Sequence, residues 1–247
     1  MQSSAQSNSV EAICLRCGRP FATAEVHVYR FKFVADRYCP LCREAEAAEA
    51  QQLRGEILWS QAHIPPEYQD ARFANFRSVT GTKHALTMAQ NWAQEFRLGR
   101  TPRRGLLFHG RPGSGKTHLA VAILFEAVYG RFAKPLFLNV PEWLNALREA
   151  MYDDAEEPPN PNGYDIVVVD DLGAEYSTDW ARERIYSLVN HRNQTRGPTI
   201  VTTNLTPDEL AGRLGRATAS RLTSLCADVP LDTTSDYRAR AAEEEKH

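Results

Sequence analysis

The sequence predicts an α/β domain, a mostly parallel sheet covered by helices on both faces, behind a small cysteine-bearing head. Three observations carry that expectation. From Gly105 onward, short apolar runs alternate with helix-spaced segments, the pattern of parallel strands joined by crossover helices. One of those runs opens directly into a glycine-rich turn and then a helix. Four of the five cysteines fall in the first 42 residues, as two CxxC pairs.

Composition narrows the field further. The chain has 247 residues, 43% hydrophobic and 24% charged, with a formal net charge of −2. That suits one ordinary domain with a small appendage. The longest apolar runs, Ile166–Val169 and Leu136–Leu138, fall far short of the ~20 residues that span a bilayer. Residues Met1 to Val10 are polar and lack the basic and apolar regions of a signal peptide. The expectation is a soluble, cytoplasmic protein with no membrane partner. No global positive field draws nucleic acid. Local clusters such as Arg97, Arg100, Arg103 and Arg104 would have to do so, and on charge alone they read as a solvated surface.

The head is Cys14-x2-Cys17 followed by Cys39-x2-Cys42. Each pair can wrap a tight turn so that both thiolates face one cation, and two such turns complete a tetrahedral zinc site. Gly18 and Pro40 supply the turn chemistry. Two disulfides are the competing reading, disfavoured in a cytosolic setting. The alternating stretch Val26 to Phe33 reads as a hairpin strand between the two knuckles, and His27 within it is a less suitable substitute ligand. Four thiolates leave no open position, so the metal is expected to be structural and to stabilise a module too small for much core. Cys226, distant and alone, reads as a buried small hydrophobe. Glu44 to Ala62 reads as a linker helix interrupted by Gly55 and ended by Ile64-Pro65-Pro66. The domain boundary is placed there, giving 1–62 as head and linker and 63–247 as the main domain.

Gly105 to His109 reads as a buried strand. The sequence Gly110-Arg111-Pro112-Gly113-Ser114-Gly115-Lys116-Thr117 follows, and then a helix with Leu119, Ile123, Leu124, Ala127 and Val128 on its apolar side. Strand, GxxxxGK[ST], helix is the context a phosphate-binding loop requires. The glycines let backbone N–H groups close around phosphate oxygens, and the helix N-terminus adds its positive end. Lys116 is expected on the β and γ phosphates and Thr117 on Mg²⁺; His118, directly after, is counted with the cradle.

Asp165 to Asp171 is an apolar run ending in two carboxylates, the pattern of a central strand. Asp170 at its tip is expected to hold Mg²⁺ through water, and Asp171 to orient and deprotonate the attacking water. Thr199 to Thr203 reads as a further strand, delivering Asn204 to the same edge to position that water. Leu136–Asn139 reads as a strand, and Pro141–Met151 as a helix with Trp143, Leu144 and Leu147 on its apolar side. Ser177–Arg196 reads as a long helix burying Trp180, Ile185, Leu188 and Val189. Pro207–Leu214 reads as a short helix capped by Thr206, and Asp153–Gly163 as a long surface loop.

Taken together, Asp170 to Glu175, Trp180-Ala181-Arg182-Glu183 and Pro198 to Leu205 closely resemble bacterial and phage replicative helicase loaders of the DnaC/DnaI type. So do Ile64-Pro65-Pro66 with Phe73 and Phe76, Leu214-Gly215 with Ser220-Arg221-Leu222, and Asp236-Tyr237-Arg238. The resemblance spans roughly residues 62–240 and extends to the IstB-type transposition ATPases. It implies an AAA+ P-loop ATPase that binds ATP with Mg²⁺ and assembles head to tail with ATP at subunit interfaces. Arg221 matches the family's arginine finger, reaching a neighbour's γ phosphate; a local ion pair on a helix face is the alternative. Arg216 is the next candidate, since the family's second arginine aligns with Ala217. Arg238 is implied to contact nucleotide in cis. The family's single-stranded DNA contacts would fall in Asn139 to Tyr152, where Trp143 either stacks a base or packs in the core.

The leading expectation is therefore a zinc head that grips a replicative hexameric helicase and an ATPase core that senses ATP and single-stranded DNA. The alternative is an IstB-like regulator of DNA transposition, which shares nearly every ATPase motif but usually has a helical N-terminal segment. A zinc-ribbon module with a vestigial ATPase is disfavoured by the intact Lys116, Thr117, Asp170, Asp171 and Asn204.

Overall fold

The structure, a computed structural model, describes residues 9–152, 156–174 and 178–231. These fall into two compact units that part between Arg54 and Gly55. Among the described residues no helix is long and apolar enough to cross a membrane.

The first unit is built on three antiparallel strands in the order β1 (Ser9–Ile13), β2 (Pro20–Val28) and β3 (Phe31–Val34). The stretch Val26 to Phe33 is therefore not one strand. It turns at Tyr29, whose φ of 56° lies in the left-handed region, and supplies both arms of the hairpin, Val26 opposite Phe33 and Val28 opposite Phe31. Helix α1 (Pro40–Ser60) starts four residues before the expected Glu44. Proline, with no N–H and a preset φ, suits the first helical position, so the helix begins inside the second CxxC pair. Nor does Gly55 interrupt it. The helix runs through, and the missing side chain admits Tyr129, whose Cε1 would lie 2.6 Å from a Cβ at that position.

The second unit holds α2 (Lys83–Arg97), β4 (Gly105–His109), α3 (Lys116–Arg131), β5 (Pro135–Asn139), α4 (Val140–Tyr152) and β6 (Ile166–Asp170). It continues with α5 (Asp179–Thr195), β7 (Thr199–Thr203), α6 (Pro207–Leu214), α7 (Arg216–Leu225) and β8 (Cys226–Pro230). The five strands form one parallel sheet in the order β5-β6-β7-β4-β8. Side chains alternate across each strand, and both faces are apolar. Leu106, Phe108, Ile166, Val168 and Ile200 face a core layer with Trp92 and Phe96 of α2 and Leu119 and Ile123 of α3. Leu107, Val167, Val169 and Val201 face the opposite layer, with Leu144 of α4, Ile185 of α5, Leu210 of α6 and Leu222 of α7. Each such fully buried aliphatic side chain contributes about 1.5–3 kcal/mol, which is why the strands read as unbroken apolar runs.

Local side-chain bonds fix the starts of the helices and strands in the second half of this unit. Thr178 caps α5 through its hydroxyl, and Thr206 with Glu209 forms a reciprocal capping box on α6. Arg192 of α5 is buried and donates to Thr199 Oγ1 (3.1 Å), Tyr164 O (3.0 Å) and Pro198 O (2.6 Å), tying the entries of β6 and β7 together. Burial pulls its guanidinium down to about 10. Of the sequence expectations, Asp153, Glu175, Ser177 and Asp236-Tyr237-Arg238 lie outside the described residues.

Candidate nucleotide site and cysteine cluster

The C-terminal tips of β4, β5, β6 and β7 converge on one cleft of about 1020 Å³, the place where open parallel sheets bind ligands. The loop Gly110 to Gly115 joins β4 to α3, its residues Pro112 to Gly115 form one wall, and Gly110, Gly113 and Gly115 are all at positive φ. At Gly115 (φ 94°) a Cβ would lie 2.6 Å from Phe76 Cε2, so glycine is required both for the turn and for this approach. Lys116 is almost fully buried, and its Nζ donates to Gly110 O (2.9 Å) and Arg111 O (2.8 Å). The ammonium thus lies folded onto its own loop. Phosphate oxygens, which carry negative charge, would compete for it with two neutral carbonyls and would add a direct ion-pair attraction.

Thr117 Oγ1 donates to Asp170 Oδ1 at 2.9 Å, so the hydroxyl after the lysine meets the carboxylate at the tip of β6. Thr202 of β7, buried, donates to the same oxygen at 2.7 Å and accepts the Asp171 N–H at 3.1 Å. Asp171 adopts φ 54°, a conformation Asp tolerates, and the following turn is fastened to β7 by Leu172 N to Thr202 O (2.9 Å) and Thr203 Oγ1 to Leu172 O (2.6 Å). Asn204 donates to Asp171 Oδ1 at 3.4 Å. The five residues Lys116, Thr117, Asp170, Asp171 and Asn204 therefore line one cleft, as do Pro112, Gly113, Ser114 and His118. A threonine hydroxyl beside a buried carboxylate is a donor set that suits Mg²⁺, which takes few protein oxygens and keeps waters.

Burial pushes the Asp170 carboxyl up to about 6, with the hydroxyl bonds from Thr202 and Thr117 opposing it and the charge of Asp171 adding to it. An acid whose folded-state pKa exceeds its unfolded value costs stability when ionised. That cost is absent below the unfolded value of 3.8 and complete above about 6. Asp170→Asn, whose amide oxygen can still accept both hydroxyl bonds, should stabilise the metal-free protein at pH 7.5 by roughly 1–3 kcal/mol. The gain in melting temperature should shrink as pH falls from 6 toward 4. Mg²⁺-nucleotide affinity should drop in the same variant. Equal melting curves at pH 7.5 would contradict this account.

Several residues that the sequence does not assign to the nucleotide site also line the cleft. Asn139 at the tip of β5 caps α4 through Glu142 N (3.2 Å), and both line the cleft. The signal was available, since Asn139 ends a parallel strand next to β6. The opposite wall comes from the segment before α2, including Pro65, Tyr68, Asp70, Asn75 and Phe76. His118 Nε2 bonds Arg72 O at 2.9 Å and its ring meets Phe76 edge-on (5.3 Å), so it fastens this wall to α3. Its burial, assisted by the Arg72 charge, lowers its pKa below the ordinary histidine value.

Arg221 lies elsewhere. On α7, half-buried, it donates to Asn190 Oδ1 (2.7 Å) and Ala217 O (3.1 Å), and it does not line the cleft of its own chain. Arg216 is exposed at the start of α7. Trp143 is half-buried against the core layer of α4 and α5. Arg238 lies outside the described residues.

In the first unit, the Sγ atoms of Cys14, Cys17, Cys39 and Cys42 all lie within 4.8 Å of one another, and all four thiols are free. Cys17 and Cys39 Sγ are 3.8 Å apart, close to the edge of a tetrahedron with ~2.3 Å zinc–sulfur bonds and far from a disulfide. Gly18 (φ 70°) turns the first pair, its N–H donating to Cys14 O at 2.9 Å. The donor set fits zinc. His27 instead pairs with Glu25 on the hairpin and is no part of the cluster. Cys226 is buried at the start of β8.

Residues 101–244 match the profile of the IstB-like ATP binding protein family. The chain belongs to that family. Its IstB-like core is preceded by residues that the family profile does not cover, the cysteine cluster among them. The replicative helicase loader DnaC of Escherichia coli (strain K12) is 27% identical over 193 residues, 76% of this chain and 75% of the relative. The replicative helicase loader DnaI of Bacillus subtilis (strain 168) is 29% identical over 178 residues, 70% of this chain and 55% of the relative. The crystal structure of the DnaC helicase loader superimposes with a TM-score of 0.61 at 26% identity, covering 68% of this chain and 100% of the other. The fold is thus an AAA+ P-loop core behind a cysteine cluster.

Proposed function

We propose that this chain is an ATPase that loads a replicative hexameric DNA helicase onto single-stranded DNA in the cytoplasm. The observation that carries this reading is the breadth of the likeness. DnaC matches over 75% of its own length, well beyond the phosphate loop.

In this reading the backbone N–H groups of residues 110–115 hold the phosphates of ATP, and Lys116 exchanges its two carbonyl partners for β and γ oxygens. Thr117 and Asp170 would hold Mg²⁺, which when bound would supply charge neutralisation on the phosphates. Asp171 takes the proton of the attacking water, and Asn204, already bonded to Asp171, fixes where that water sits. Arg221, absent from its own cleft, serves a neighbour's, which makes hydrolysis conditional on self-assembly. Arg238 would add a contact in cis. The head, residues 1–62, holds zinc on its four cysteines and grips the helicase. Single-stranded DNA would run over α4 and α5, where the guanidiniums of Arg148 and Arg184 lie 5.2 and 6.0 Å from the ring centre of Trp180. Cations around an indole suit phosphates and stacked bases.

Lys116→Ala tests the enzyme half. ATP affinity and turnover should both fall, turnover to background; unchanged hydrolysis would remove the phosphate-loop assignment. Strand separation on a forked substrate coated with single-strand-binding protein tests the loading half. The cognate helicase should unwind it with this protein and ATP present and fail without either.

A further inference from the structure

Arg72 lies in the cleft-lining segment before α2, yet its side chain turns away from the cleft. Its guanidinium stacks 3.6 Å from the ring centre of Phe125 on α3 and 5.0 Å from that of Trp59. Nη1 donates to Gln69 O and Ala71 O, both at 2.9 Å, closing the bend that carries Tyr68, Asp70 and Ala71 into the cleft. Its backbone does the rest. Arg72 N donates to Asn75 Oδ1 (2.8 Å), Asn75 Nδ2 donates to Asp70 O (2.7 Å), and Arg72 O meets His118 Nε2. One residue thus ties the wall opposite the phosphate loop to the helix that begins at that loop.

We propose that Arg72 is a positioning residue for the nucleotide, preorganising the cleft wall away from the phosphates so that little ordering remains to be done when ATP binds. The inference rests on the nucleotide-site reading above. Only arginine meets the requirement as built, because a planar guanidinium can stack on Phe125 while forking to two carbonyls. Lysine can bond the carbonyls but cannot stack flat, and methionine fills the slot without donors. A wall left to order on binding weakens affinity, whereas Lys116, Asp170, Asp171 and Asn204 are untouched, so the chemical step at saturation is preserved.

The experiment measures the Kd of a fluorescent ATP analogue with Mg²⁺, and turnover against ATP concentration, for full-length wild type and variants. Arg72→Met should raise Kd and KM by about tenfold with kcat within about twofold, and Arg72→Lys should fall between it and wild type. Phe125→Leu should weaken binding in the same sense. Adding it to Arg72→Met should cost little more, because both remove one interaction. Arg72→Met with unchanged Kd and a native circular-dichroism melt overturns the inference, as does a loss confined to kcat. Should Arg72→Met fail to fold, Phe125→Leu with unchanged Kd overturns it. A wild type that binds no nucleotide overturns the underlying site reading instead, so the two failures are distinguishable.

Discussion

Arg221→Ala should leave nucleotide affinity within about twofold of wild type and lower turnover by about 10³-fold, the scale of a trans-acting guanidinium on a transferring phosphoryl group. The structure explains the separation of the two effects. Arg221 is held by Asn190 Oδ1, by Ala217 O and by the Tyr186 ring, 4.9 Å away, and none of these touches the cleft of its own chain. These contacts fix Nε and Nη1 of the guanidinium. The assay is steady-state hydrolysis by the pure variant over a range of protein concentrations, beside wild type. Normal turnover there places the finger elsewhere, with exposed Arg216 the next residue to test.

The second large effect concerns the head. Cys39→Ser should abolish stoichiometric zinc, measured by elemental analysis, and unfold the three-stranded sheet while leaving ATP binding intact. Apparent zinc-binding free energies of about 10–16 kcal/mol at pH 7 exceed anything this unit's core can supply. Most of its large apolar side chains are in water: Phe31 is 61% exposed, Phe33 54% and Tyr29 99%. Its buried cluster is little more than Cys14, Cys39 and Cys42, with Phe21 and Tyr38 packed beside them. A head that keeps its near-ultraviolet spectrum without zinc would contradict this reading.

The parts of the core legible in the sequence are those where one residue pattern has one structural solution. The runs Gly105–His109, Ile166–Asp170 and Thr199–Thr203 are buried on both faces, the environment of a central parallel strand, and each is too short for a buried helix. The phosphate loop was legible because its glycines and Lys116 serve backbone geometry and charge at fixed spacing. Other elements carried a weaker signal. Helix α2 has Ala85, Ala89, Trp92, Ala93 and Phe96 at helical spacing, but three of its five buried residues are alanines, which announce little. Strand β8 carries no such signal, because Asp228 and Pro230 break its apolar pattern on the exposed side of an edge strand. The start of α1 is ambiguous in the sequence, because Pro40 serves equally as a turn residue and as a helix opener.

In the site, Asp170, Asp171 and Asn204 were legible as strand-tip polar residues. Thr202, which anchors both aspartates, reads in sequence as one more β-branched residue. The wall built by Arg72 and His118 depends on contacts between segments 46 residues apart, which no local pattern encodes.

The proposed role as a helicase loader requires a physical complex with the helicase. The most direct measurement is co-elution of the purified protein with its cognate hexameric helicase in ATP, repeated with residues 1–54 removed. That cut spares Trp59 and Ile64, which pack in the ATPase core. The account predicts a defined complex with the full chain and none without the head. No complex with the full chain, together with ATP-dependent filaments on duplex DNA, would contradict it and make the chain a transposition-type ATPase.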